Sequence, residues 1–101
     1  MLIGRVRGTV VSSTKNRHLD GLTLLLVTEI DPQTLAEKDS LEVVADAVGA
    51  GEGEVVMCCR GSSARKADGM QDYPVDYTVV AILDSIQKEG KTVFEKFKKE
   101  F

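Results

Sequence analysis

Two serine–lysine pairs and a single histidine are the side chains whose types and spacing could do chemistry. Ser12 and Lys15, and likewise Ser63 and Lys66, have the Ser-x-x-Lys spacing that places a lysine beside a serine nucleophile. His18 is the only histidine, so a zinc site built on two imidazoles is not indicated. The serine–lysine spacing is common by chance and no further signature accompanies it. We therefore predict no enzyme, and keep an enzyme that uses Lys15 or Lys66 with a serine as an alternative.

The two cysteines, Cys58 and Cys59, are adjacent in a stretch that predicts a strand. Neighbouring residues on a strand point to opposite faces, so a disulfide between them is not expected. We interpret them as two small buried apolar residues, with a redox or metal-binding pair as the alternative.

Residues 49–53, Gly-Ala-Gly-Glu-Gly, form a glycine-rich loop that leads directly into a predicted strand. The loop is not the Gly-x-Gly-x-x-Gly dinucleotide fingerprint, and it lacks the Gly-Lys-Ser/Thr ending of a phosphate-binding loop. It predicts a tight turn that needs positive φ and allows a close approach of backbones.

Carboxylates are plentiful, but no spacing makes two of them an acid–base pair. We interpret them as solvated surface groups. The ones considered are Asp31, Asp46, Glu52, Glu54, Asp76 and Asp84.

Composition narrows the classes of function further. The 101 residues fit one domain, and they carry a net charge of −3. A pI of about 5.1 argues against a generic polyanion-binding protein, because affinity for nucleic acid comes mostly from a basic face. Only 5% of the residues are aromatic, so stacking platforms for single strands are scarce. The apolar runs are too short for a membrane span, and no secretory signal is expected.

The elements that must position these residues are mainly strands. Alternating or continuous apolar stretches predict five of them, at residues 2–12, 22–30, 41–46, 54–60 and 75–84. Residues 61–66 predict a cap and one helical turn. Glycines on the inner face of the first strand suit strong curvature. Short strands without long crossover helices favour a small closed or nearly closed antiparallel barrel.

Towards the end of the chain, the spacing of the apolar residues changes. Val93, Phe94, Phe97 and Phe101 recur at helical spacing and predict an amphipathic helix over residues 92–101. A helix this short needs a surface to dock on, either its own barrel or a neighbouring subunit. We therefore divide the single domain into a barrel over about residues 1–84 and a tail over about 85–101.

Several predicted strands are apolar on both faces. In the second strand, for example, Leu24 and Leu26 alternate with Leu25 and Val27. A small barrel buries one face inside, and the chain offers little to cover the other. We therefore predict an oligomer in which neighbouring subunits cover the outer face.

Five blocks, in this order along the first 84 residues, resemble the bacterial microcompartment vertex proteins, the pentameric shell proteins of ethanolamine-utilisation compartments and carboxysomes. The blocks are residues 8–15, 22–27, 46–56, 61–65 and 74–84. The combination of Gly-Ala-Gly-Glu-Gly-Glu at 49–54 with Gly-Ser-Ser-Ala-Arg at 61–65 is the specific part of the resemblance.

The resemblance implies an OB-like barrel and a structural protein that is not an enzyme and uses no cofactor. It implies a homopentamer that caps the vertices of a polyhedral shell otherwise tiled by hexameric shell proteins, inside the bacterial cytoplasm. Neither nucleic acid nor membrane is an implied partner.

The residues that we expect at the subunit interface and the axial pore follow from the same resemblance. They are Gly49, Ala50, Gly51, Gly53, Gly61, Ser62, Ser63 and Arg65. The glycines would let backbones pack closely, and Arg65 either pairs with a carboxylate across the interface or is solvated. The alternative function is an OB-fold-type single-stranded nucleic-acid-binding protein.

Overall fold

A computed structural model describes residues 1–11, 23–60 and 76–97. The described part is mainly β. Its seven strands are β1 (Leu2–Val10), β2 (Thr23–Glu29), β3 (Glu42–Asp46), β4 (Val55–Arg60), β5 (Tyr77–Ile82), β6 (Ser85–Lys88) and β7 (Lys91–Glu95). The five strands predicted within residues 1–84 are confirmed, with ends that differ by at most two residues.

The first five strands form a closed barrel in the order β1-β2-β3-β5-β4, with β4 pairing back onto β1. Four of the five pairings are antiparallel, as predicted, but β3 and β5 run parallel. The prediction of a wholly antiparallel barrel was therefore wrong at this one contact. An odd number of strands closed into a ring cannot alternate in direction at every contact, so one neighbouring pair must be parallel.

The barrel interior holds the main core. Its buried members come from all five strands, because alternation sends every second side chain inward. They are Val6, Leu25, Val27, Val44, Val56, Cys58 and Val79.

The first strand bends where the sequence predicts curvature. The register of β1 against β2 shifts between Val6 and Gly8, which marks a bulge. A Cβ placed on Gly4 would overlap Val27 Cγ1 and lie 2.7 Å from the carbonyl oxygen of Thr28. Glycine at this position therefore lets β1 lie against β2 inside a narrow barrel.

The predicted C-terminal helix was wrong over the described part of residues 92–101. Residues 91–95 form strand β7, which pairs with β6 in a separate two-stranded sheet. Glu89 and Gly90 both have positive φ (53° and 77°), as a two-residue type I′ hairpin turn requires. The turn reverses the chain and aligns Ile86 with Phe94, so β-branched and aromatic residues pair across strands. Residues 98–101 lie outside the described residues.

No helix occurs in the three described segments. The helical turn predicted at 61–66 lies outside them. Across these segments no helix of membrane-spanning length and hydropathy is found.

Candidate functional site

The glycine-rich loop 49–53 joins β3 to β4 at one end of the barrel. Gly49 and Gly53 have φ values of 80° and 88°, which confirms the prediction of a turn that needs positive φ. Among residues 1–11, 23–60 and 76–97, no atom lies within 4 Å of a Cβ placed on either glycine. The backbone conformation, and not crowding by these residues, therefore selects glycine at both positions.

The carboxylate of Asp46 organises the first half of the loop. Its Oδ1 accepts hydrogen bonds from the amides of Val48 and Gly49, both at 3.0 Å, and its Oδ2 accepts one from Ala50 at 3.0 Å. The interpretation of Asp46 as a solvated surface group was therefore wrong. The signal that could have found it is an aspartate at the end of a strand followed three residues later by glycine, which is typical of an Asx turn.

Glu54 organises the second half. Its Oε1 accepts a hydrogen bond from the amide of Gly51 at 2.7 Å, and its Oε2 pairs with the ammonium of Lys96 on the C-terminal hairpin. The Lys96 ammonium and the Gly51 amide both favour the charged carboxylate, so the pKa of Glu54 lies below its ordinary value. Glu54 was also grouped with the solvated carboxylates, and the structure corrects that interpretation.

The loop is also fastened to β1. The Gly53 amide donates to the carbonyl of Val6 at 2.8 Å, and Arg5 Nη1 donates to the carbonyl of Gly53 at 2.8 Å. Four of the loop's five amides thus donate to acceptors of the chain itself, so they are not free to cradle a phosphate. This bonding agrees with the absence of a nucleotide-binding fingerprint in the sequence.

For Gly51, unlike the other two loop glycines, neither the backbone conformation nor crowding within the described residues requires glycine. Its φ lies outside the positive region that the other two loop glycines occupy. Of the atoms that the structure describes, a Cβ at this position would meet only Glu54 Oε1, at 3.4 Å. Within one copy of the chain an alanine would therefore fit.

Several predicted site residues lie outside the described segments. They are Gly61, Ser62, Ser63 and Arg65 of the predicted interface, together with Ser12, Lys15, His18 and Lys66. Residues 1–11, 23–60 and 76–97 contain no group of three His, Cys, Asp or Glu side chains placed to hold a metal ion.

The two cysteines are free thiols, on opposite faces of β4 as strand alternation predicts. Cys58 lies in the barrel core, where burial raises its pKa to about 12, so its thiol stays protonated and unreactive at neutral pH. Cys59 is half-buried on the outer face. The interpretation as buried apolar residues is confirmed for Cys58 and holds only in part for Cys59.

Exposed apolar side chains lie on β3 and in the chain just before and after it. Val43 is 51% exposed and pairs in register with the half-buried Leu26, and Leu41 and Val48 are exposed nearby in the chain. The expectation of an apolar outer face that the protomer leaves open is confirmed in this part of the barrel. Burying such side chains yields about 25 cal/mol per Å², so this face favours association.

Known proteins share the sequence and fold of this chain. Residues 1–84 match the family model for ethanolamine utilisation protein EutN/carboxysome proteins. The chain is 44% identical over 96 residues to the carboxysome shell vertex protein CcmL of Synechococcus elongatus, covering 95% of this chain and 96% of that protein.

Solved structures agree. The structure of Gloeobacter violaceus CcmL superposes with a TM-score of 0.91 at 42% identity, covering 97% of this chain and 100% of that chain. The GrpN pentameric microcompartment shell protein from Rhodospirillum rubrum superposes with a TM-score of 0.78 at 42% identity, over 87% of this chain and 99% of that one.

Proposed function

The chain belongs to the family of ethanolamine utilisation protein EutN and the carboxysome proteins, and from that membership we propose that it is a structural shell component of a bacterial microcompartment. In this proposal it forms homopentamers that cap the vertices of the polyhedral shell. Its neighbours are hexameric shell proteins, and it acts in the shell within the bacterial cytoplasm, with neither nucleic acid nor membrane as a partner. The chain is not an enzyme.

One observation carries the proposal. Relatives that match nearly the whole chain at 42–44% identity are named shell vertex proteins, and one solved relative is named as pentameric. The exposed apolar side chains of Leu41, Val43 and Val48 support it independently, because neighbouring copies would remove that surface from water. The closed five-stranded barrel supports an OB-like classification.

The glycine-rich loop is the interface and pore element in this proposal. Gly51 supports that role because nothing in the described part of the protomer requires glycine there, whereas a neighbouring backbone in close approach would. Gly49, Ala50 and Gly53 belong to the same loop. The remaining proposed contacts, Gly61, Ser62, Ser63 and Arg65, rest on the family resemblance.

The alternative, an OB-fold-type single-stranded nucleic-acid-binding protein, has little support. The cited relatives are named as shell proteins, and the net charge of −3 disfavours phosphate contacts.

Native mass spectrometry tests the proposal directly. At micromolar concentration the intact chain is expected to give a species of five subunits. A monomer under these conditions would contradict the pentamer, and a salt-dependent shift with an oligonucleotide would favour the alternative.

A further inference from the structure

The middle of the glycine-rich loop is held by a single residue. Gly51 makes two hydrogen bonds with Glu54: its amide donates to Glu54 Oε1 at 2.7 Å, and its carbonyl accepts from the Glu54 amide at 3.2 Å. The two ends of the loop are held by other residues, by Asp46 at the start and by Val6 at the end. Among the described residues, the position of Gly51 therefore depends on Glu54.

The barrel fixes the backbone of Glu54, whereas the C-terminal hairpin fixes its side chain. The Glu54 carbonyl accepts a hydrogen bond from the Val6 amide at 2.9 Å, which holds this residue against β1. Its Oε2 pairs with the ammonium of Lys96, the residue that follows β7. A glutamate side chain has three rotatable bonds, so without a partner on Oε2 it would sample other rotamers and release the Gly51 amide part of the time.

Lys96 is itself anchored at the base of the hairpin. Its amide donates to the carbonyl of Asp84, just before β6, at 2.8 Å. The amide of Leu83 donates to the carbonyl of Val55 at 2.8 Å, so the start of the hairpin is tied to the residue that follows Glu54. The base of the hairpin therefore presents the ammonium from a fixed backbone position beside the loop.

The Lys96–Glu54 pair is more shielded from water than the other two ion pairs of the described segments. Its side chains are 29% and 23% exposed, whereas those of the other pairs are between 34% and 51% exposed. Water and salt screen a shielded pair less, so this pair keeps more of its attraction.

We propose that Lys96 is a positioning residue for the glycine-rich loop. By holding the Glu54 carboxylate against the Gly51 amide, it makes the conformation that the loop presents to a neighbouring copy depend on the C-terminal hairpin. A loop that is already ordered loses less conformational freedom when copies associate, so the ion pair favours assembly without Lys96 itself contacting the neighbour. The inference rests on the proposed pentamer with this loop at its interface.

Hydrogen exchange of the Gly51 amide, followed by NMR in the intact chain, tests the positioning. In Lys96→Met the exchange should become about two- to fivefold faster, the range expected when an ion pair of this kind is lost. Lys96→Arg keeps a cation beside Glu54 and should restore the slow exchange. Lys91→Met removes a lysine from the exposed tip of the hairpin, and this matched control should exchange like the unaltered chain.

Dilution followed by native mass spectrometry tests the effect on assembly. For Lys96→Met, the concentration at which half of the five-subunit species dissociates should rise by about two- to sevenfold, because five loops lose the same contribution over four association steps. Lys96→Arg and Lys91→Met should dissociate like the unaltered chain.

The outcomes separate this inference from the function on which it rests. Unchanged Gly51 exchange in Lys96→Met, or an equal effect of Lys91→Met, would overturn the positioning role. Faster exchange with an unchanged dissociation concentration would overturn the link to assembly and leave the pentamer in place. A monomeric native mass of the unaltered chain would overturn the pentamer and the effect on assembly, whereas the exchange measurement would still decide whether Lys96 positions the loop.

Discussion

At Gly4 the backbone of β1 lies so close to β2 that no side chain fits between them. A methyl group there would collide with Val27 in the core and with the backbone of Thr28, neither of which can move without disturbing the β1–β2 pairing. Gly8, three pairs further along the β1–β2 register, has no atom of the described residues within 4 Å of the same hypothetical Cβ. Crowding against β2 therefore requires glycine at position 4 but not at position 8, although both residues lie on β1.

We expect Gly4→Ala to destabilise the protein by about 2 kcal/mol, the usual range for overpacking a tight core. The matched control Gly8→Ala should cost less than about 1 kcal/mol. Urea unfolding at one fixed protein concentration measures both, since association also contributes to stability. Equal losses in the two variants would show that crowding at Gly4 is not the cause.

Residue-scale roles were hardest to predict where they depend on the local path of the backbone. Asp46 and Glu54 looked like ordinary surface carboxylates in the sequence, yet together they bind three amides of the glycine-rich loop and the amide of Val48 just before it. Their roles became clear only with the folded loop, which brings those amides within hydrogen-bond distance of the two carboxylates.

At the scale of elements, the C-terminal hairpin depends on its attachment to the barrel. A two-stranded sheet by itself is only marginally stable in water, and its cross-strand pair Ile86 and Phe94 is half-buried. Lys96 supplies two attachments at the base, to the Asp84 carbonyl and to the Glu54 carboxylate. The ion pair therefore links the hairpin to the glycine-rich loop.

This link is expected to weaken in acid. The folded-state pKa of Glu54 lies below its ordinary value, so the pair stabilises the protein above a pH of about 4.3, and this stabilisation is lost as the pH falls through the lower folded value. Lys96→Met should therefore cost up to about 1 kcal/mol at neutral pH and less near pH 3. Urea unfolding at the two pH values measures the difference. Lys91→Met, at the exposed tip, serves as the control, and an unchanged cost of Lys96→Met at low pH would contradict the role of the pair.

At the scale of the whole molecule, the interior of the barrel is packed with buried side chains, whereas its outside leaves apolar side chains exposed. Its interior is filled from all five strands, while Val43 and Leu41 stay exposed on the outer face. The proposed pentamer would use this division, because the interior holds the protomer together and the exterior is left for neighbours.

Gly51→Asp is expected to disrupt the assembly without unfolding the barrel. The added side chain and charge would enter the proposed close approach between copies, where a buried unpaired carboxylate is costly. Native mass spectrometry should show loss of the five-subunit species, while Ala36→Asp, which adds the same group to an exposed turn, should leave it intact. An unchanged oligomer in Gly51→Asp would mean that the loop is not at the interface.

The sequence by itself determined the five barrel strands, the glycine-rich turn and an outer face too apolar for a lone protomer. These features follow from local alternation and from residues such as Gly49 and Gly53, whose conformational freedom does not depend on distant contacts.

The tertiary structure decided the parallel β3–β5 contact, because closing a ring of five strands is a property of the whole barrel. It also decided that residues 91–95 form a strand. Helical and extended periods of apolar residues are hard to tell apart over so few residues. The turn at Glu89-Gly90 brings β6 alongside these residues, and pairing with β6 makes them a strand. The sequence also left the roles of Asp46, Glu54 and Lys96 undetermined, because each depends on groups that only folding brings within hydrogen-bond distance.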